Sequence, residues 1–175
     1  MSTSGGQALA GQRSQGADRR LVLGIGNRLL QDDAAGPLVI DRLAPSLAGQ
    51  ALLQDGGTMG LGLLPAIEAC DTLVVVDAAR FGAVPGTVRV FENEAMDAQA
   101  MGRKSSVHEV ALADLLGAAA LQGLLPARRV LVAVEPACTE LGLEPTPAVR
   151  DALPVMALSV LSWLHAQAAD PAVAP

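Results

Sequence analysis

The chain has no tyrosine, one tryptophan and two phenylalanines in 175 residues. So few aromatic rings remove the stacking platforms on which single-stranded nucleic acids are held. Basic residues are also scarce. The chain has 12 Lys and Arg against 18 Asp and Glu, a formal net charge of −6, and no run of Lys or Arg exceeds a pair. That balance argues against nucleic acid and anionic membrane as partners. The two cysteines, Cys70 and Cys138, form no CxxC pair and are expected to be buried small hydrophobes in a reducing compartment. No uninterrupted apolar run approaches the roughly 18–20 residues that cross a bilayer. Residues 1–18, rich in Gly, Ser, Gln and Ala, lack the apolar centre of a secretory signal. They are expected to be a disordered tail, as are residues 169–175, and the protein is expected to be cytoplasmic.

What the chain does have is small aliphatic residues. Hydrophobic residues make up 51% of it, most of them Ala, Leu and Val. A core of that kind suits helices packed on a sheet. Residues 19–168 are expected to form one domain, long enough to bury about two-thirds of its unfolded surface.

Strand and helix patterns alternate along the sequence. Leu21–Ile25 and Val130–Val134 are short apolar runs expected to be buried strands, and Thr72–Val76, with three consecutive valines stopped by Asp77, is the clearest strand. Ala51–Leu53 is expected to be a short strand ended by a turn at Asp55-Gly56-Gly57-Thr58. Thr87–Phe91 alternates in the manner of a strand near a sheet edge. Helical spacing marks Ala35–Leu43, Leu61–Ala69 and Ser106–Leu121. A last helix begins at Thr146-Pro147, a cap followed by proline at the first helical position, and Pro154 is expected to kink or split it. Glu92–Lys104 is polar and irregular and is expected to be a surface loop. Continuous apolar strands separated by helices imply an α/β fold with a mostly parallel sheet covered on both faces.

In such sheets, sites form at the carboxyl ends of the strands. Four features of this sequence fall there: the pair Asp32-Asp33 after the first strand, Asp55 after the second, Asp77 after the third, and His108 in the first turn of a later helix. Each has an ordinary structural explanation as well. An Asp just before a helix is usually its cap, and that is the expectation for Asp32. Asp33 cannot share the same cap. Asp55 before two glycines is expected to form the turn. Asp77, closing a buried strand, requires partners or a cation. Ser106-Val107-His108-Glu109 fits a capping box, with Glu109 reaching back to the cap. His108 then lies where the helix dipole disfavours imidazolium, and a metal ligand must be neutral imidazole. His165, on the last helix, is expected at the surface. Two carboxylates and an imidazole with an open fourth position would suit zinc or nickel. Gly24-Ile25-Gly26 supplies only the first half of a GxGxxG dinucleotide motif, with Leu29 where the third glycine belongs.

Taken together, LVLGIGNRLLQDDAAG, DGGTMGLGLLPAIEACDTLVVVDA, SVHEVALADLL and PTPAV resemble, in this order, the maturation endopeptidases of nickel–iron hydrogenases. The resemblance covers nearly the whole chain outside the tails. It implies a three-layer α/β/α fold with a central twisted sheet. It also implies removal of a short C-terminal extension from the hydrogenase large-subunit precursor after nickel insertion. By position, the family's metal-contacting residues fall on Asp33, Asp77 and His108, with Asp33 and Asp77 also the catalytic candidates. Nickel is expected to be carried by the substrate, and zinc or another divalent metal could occupy the site in isolation. Either metal-bound water or a carboxylate base could drive hydrolysis. The expected partner is the precursor alone, with no nucleic acid and no membrane, and the protein is expected to be a monomer. One departure from the family pattern is Ala34, where glycine usually follows the acidic pair, so the loop backbone is expected to differ slightly.

Overall fold

The computed structural model describes residues 18–102 and 107–169, with side chains for 18–101 and 112–169. Residues 1–17 and 170–175 of the expected tails, and Ser106 of the proposed capping box, lie outside them. Asp18, expected in the tail, instead accepts hydrogen bonds from Arg20, Thr72 and Arg128, and Ala169 ends the last helix. Five strands form one sheet in the order β2-β1-β3-β5-β4. They are β1 (Arg20–Ile25), β2 (Leu52–Gly57), β3 (Thr72–Ala78), β4 (Val88–Glu92) and β5 (Arg128–Val134). The first three and β5 run parallel, while β4 pairs antiparallel with β5 at one edge. The helices are α1 (Ala35–Leu47), α2 (Leu64–Glu68), α3 (Glu94–Gly102), α4 (Val107–Leu121) and α5 (Pro147–Ala169). The three-layer α/β/α expectation holds.

Alternation along each strand sorts the side chains into two cores. Val22, Val74, Val76, Val130 and Val132 pack with α1 and α5. Leu21, Leu23, Leu73, Val75 and Leu131 pack on the other face with Ile67 of α2, Met96 of α3 and Leu112, Leu115 and Leu116 of α4. By the same alternation Asp77 lies on the α4 face, in step with Leu73 and Val75. The two phenylalanines, Phe81 and Phe91, pack edge to face with ring centroids 5.8 Å apart.

Three expectations are corrected. β2 continues through the predicted turn, because Gly24 pairs with Asp55 and Ile25 with Gly57 across a bulge. The predicted loop at Glu92–Lys104 contains α3. That helix buries Met96 and Ala100, one turn apart, and too few apolar positions left no periodicity to detect. Arg129 of β5 holds its outer side through Asp97, at 2.5 Å and 2.9 Å. Finally, α5 runs unbroken through Pro154. Among the described residues it is the one helix long and apolar enough, by length and composition, to cross a membrane, though Arg150 and Asp151 interrupt its apolar run. Its Val149, Leu153, Met156, Val160 and Leu164 are buried against the sheet.

The start of α1 is pressed onto the sheet. A Cβ at Gly36 would lie 2.2 Å from the Ile25 carbonyl oxygen and 2.5 Å from that of Val76, so the first turn of α1 rests across the ends of both β1 and β3. At Gly117, in α4, a Cβ would meet nothing within 4 Å. Urea denaturation should therefore separate the two glycines. Gly36→Ala is expected to destabilise by about 2–3 kcal/mol, since the obstruction is backbone. Gly117→Ala is expected to stabilise by about 0.5–1 kcal/mol. Equal effects at the two sites would contradict this packing.

Candidate functional site

Strand order changes direction at β1. The chain leaves β1 for β2 on one side, then returns across it to β3 on the other. The carboxyl ends of β1 and β3 thus flank the switch point, where open α/β sheets place their sites. Asp33 follows β1 and Asp77 is the penultimate residue of β3.

Asp32 does not cap a helix. Neither the 3-10 turn Gln31–Ala34 nor α1 has a side-chain cap hydrogen bond. Instead the Asp32 carboxylate, 0% exposed, accepts four hydrogen bonds from the loop between β5 and α5. The amides of Ala137 and Cys138 donate to one oxygen at 2.8 Å and 2.9 Å, joined by the Thr146 hydroxyl at 3.0 Å. The Thr146 amide donates to the other oxygen at 2.6 Å. The Asp32 amide donates in turn to the Cys138 carbonyl at 3.2 Å. Thr146 stands where the α5 cap was expected, and its hydroxyl goes to Asp32.

With Asp32 fixed, its neighbour Asp33 is fixed too. Asp33 is buried, and its carboxylate accepts the Asn27 amide at 2.8 Å. The chain can wrap this closely because Gly26 has φ +131° and a Cβ there would lie 1.8 Å from the Asp33 carbonyl oxygen. Ala34, which replaces the family's usual glycine, has φ −74°, a conformation open to any residue. Nothing at that position requires glycine.

Asp77 is buried on the α4 face of β3, and His108 belongs to the first turn of α4. The sequence candidates Asp33, Asp77 and His108 therefore share the carboxyl edge of the sheet by backbone placement. The His108 and Glu109 side chains lie outside the described ones. Among the described residues, no three His, Cys, Asp or Glu form a group that could hold a metal ion.

Two further carboxylates organise this edge. Glu135, just past β5 and buried, accepts the amides of Phe81 at 2.8 Å and Ala83 at 3.1 Å, which fixes the loop after β3. Asp55 accepts the Gly57 amide at 3.0 Å, as a turn-forming Asp does, and also pairs with Arg28 at 2.9 Å. Arg28 pairs in addition with Asp41 at 2.7 Å and 3.0 Å. Hydrogen bonding to Asp41, with a further contribution from Asp55, raises its already high pKa, so it stays charged at any working pH. Neither Glu135 nor Arg28 stands out from the sequence, because the partners that give each its role are distant in the chain.

The remaining candidates lie elsewhere. Cys70 is buried, as expected, but at the amino-terminal end of β3. Cys138 is only partly buried and contributes its backbone to the Asp32 latch. His165 is exposed. A cavity of about 470 Å³ opens at the opposite edge of the sheet, lined by Arg20, Leu21, Leu52 and Cys70 among others. It is remote from the acids.

A family model described as hydrogenase maturation protease (HycI) matches residues 38–163, a span that includes Asp77 and His108. The hydrogenase expression/formation protein HupD of Rhizobium leguminosarum bv. viciae is 35% identical over 162 residues, covering 89% of this chain and 80% of that protein. HupD of Rhodobacter capsulatus is 38% identical over 121 residues, 68% of this chain, and the matched part spans 58% of that longer protein. Among solved structures, the hydrogenase maturating endopeptidase HybD from Escherichia coli superposes with a TM-score of 0.80 at 34% identity, covering 85% of this chain and 93% of that one.

The latch predicts a graded and non-additive response. Thr146→Ala, which removes one of the donors, is expected to destabilise by about 1 kcal/mol. Asp32→Ala leaves the three part-buried amides of Ala137, Cys138 and Thr146 without their acceptor and is expected to destabilise by about 2–3 kcal/mol. The double variant should be no worse than Asp32→Ala alone, because both changes break one network. Additive losses in chemical denaturation would show that Thr146 contributes independently of Asp32.

Proposed function

The chain belongs to the hydrogenase maturation protease family, and from that premise we propose that it is the endopeptidase that removes the C-terminal extension of a nickel–iron hydrogenase large-subunit precursor after nickel insertion. The observation that carries this reading is the pair of buried carboxylates, Asp33 and Asp77, at the ends of adjacent parallel strands on either side of the switch point.

In this reading Asp33, Asp77 and the His108 imidazole meet the nickel that the precursor carries. Two oxygen donors and one nitrogen donor form a set suited to nickel, and equally to zinc when the protein is alone. Recognition through the cargo makes cleavage a checkpoint, since an empty precursor lacks the group these side chains hold. Each tenfold preference for the loaded form requires about 1.4 kcal/mol of differential affinity.

Peptide hydrolysis also needs a group to take the proton of the attacking water. In this reading Asp33 and Asp77 take that role, and their burial at an edge held by the surrounding hydrogen bonds supports it. A covalent route through Cys70 is disfavoured, because that thiol lies at the far end of β3 from Asp77. The two cysteines, which form no CxxC pair, suit the cytoplasm, where thiols stay reduced, and we place the reaction there with the protein acting as a monomer.

Intact mass spectrometry on the large-subunit precursor, nickel-loaded or nickel-free, tests this directly. Loss of a C-terminal peptide is expected only from the loaded precursor. Asp33→Asn and Asp77→Asn are each expected to slow it by about 100-fold or more. An unchanged mass in a correctly loaded precursor would refute the assignment, and binding without cleavage would then describe the protein.

A further inference from the structure

The loop held by Asp32 presents an apolar surface that the proposed chemistry does not use. Leu29, Leu141 and Leu143 are 56%, 85% and 73% exposed. Single exposed leucines are ordinary, but these three are brought together by pairing. Leu30 and Gly142 form a parallel bridge, with the Gly142 amide donating to the Leu29 carbonyl at 2.9 Å and the Gln31 amide donating to the Gly142 carbonyl at 2.9 Å. In that register Leu29 stands beside Leu141, and Gln31 beside Leu143.

Two features indicate what covers these leucines. The first is charge. Between Val134 and Arg150 the chain contains no Lys or Arg, and the exposed Glu140 and Glu144 flank Leu141 and Leu143. The second is position. Asp32, which anchors the loop, is adjacent in sequence to Asp33, so the leucines border the proposed site. The latch also fixes both segments in advance, which reduces the ordering cost of binding.

We propose that Leu29, Leu141 and Leu143, with Glu140 and Glu144, form the docking surface for the hydrogenase large-subunit precursor, accepting an apolar segment flanked by Lys or Arg. This rests on the function proposed above and adds how the substrate protein is recognised apart from its metal. The apolar contacts supply affinity, and the glutamates orient the basic flank and speed the encounter.

Cleavage rates of the nickel-loaded precursor, measured against its concentration with the full-length chain, test the proposal. Leu141→Ser/Leu143→Ser is expected to raise KM about tenfold and leave kcat within about twofold. Glu140→Lys/Glu144→Lys should raise KM at low salt, and the difference should shrink at high salt. All substituted positions are exposed, so an unchanged Tm is the check that each variant folds. An unchanged KM in both variants, with the wild type cleaving normally, would overturn the docking surface and leave the protease assignment standing. A wild-type dimer in sedimentation that the leucine variant dissociates would also overturn it, by showing that a second copy covers this face. Failure of the wild type to cleave loaded precursor would remove the proposed function, and the docking surface with it.

Discussion

A single buried carboxylate holds the carboxyl edge of this sheet together. Asp32 has lost all contact with solvent, and a charge so placed is tolerable only when its hydrogen-bonding capacity is filled. The loop between β5 and α5 fills it with three backbone amides and one hydroxyl. The obligation runs both ways. These amides belong to a loop and have no ladder to join, so they depend on Asp32 as much as it depends on them.

The same arrangement recurs around the edge. Glu135 holds the loop after β3, and Arg28 ties the loop after β1 to both α1 and β2. The buried contacts carry most of the constraint, while the more exposed Arg28 pairs add orientation and little net stability. Loops are usually where a fold is most mobile. Here charged side chains pin them, so Asp33 is held on a preset backbone. If the site accepts a metal already coordinated by another protein, as proposed above, it gains from such rigidity, because donors that had to reorganise would give up part of their discrimination.

Much of the fold was legible in the sequence. Thr72–Val76 and Val130–Val134 announced themselves as buried strands because parallel strands covered on both faces are continuously apolar. The helix α3 was invisible for a definite reason, since Met96 and Ala100 alone anchor it. The extension of β2 through Asp55-Gly56-Gly57 was hidden because its residues are turn formers, and pairing with β1 overrode their local preference. The candidates Asp33 and Asp77 were legible as acids at the ends of strands, and the structure shows both to be buried at the carboxyl edge. The role of Asp32 was not legible, because its partners lie more than a hundred positions away and are mostly main-chain amides, which leave no trace in residue identity.

The central claim is that Asp33, Asp77 and His108 converge on the nickel carried by the precursor. X-ray absorption at the nickel edge would test it most directly, recorded on the loaded precursor alone and then in complex with this protein. The account predicts that new oxygen and imidazole donors enter the nickel shell in the complex and that Asp33→Asn and His108→Ala remove them. Identical spectra for free and bound precursor, with binding confirmed, would contradict it and show that the carboxylates act on the peptide without touching the metal.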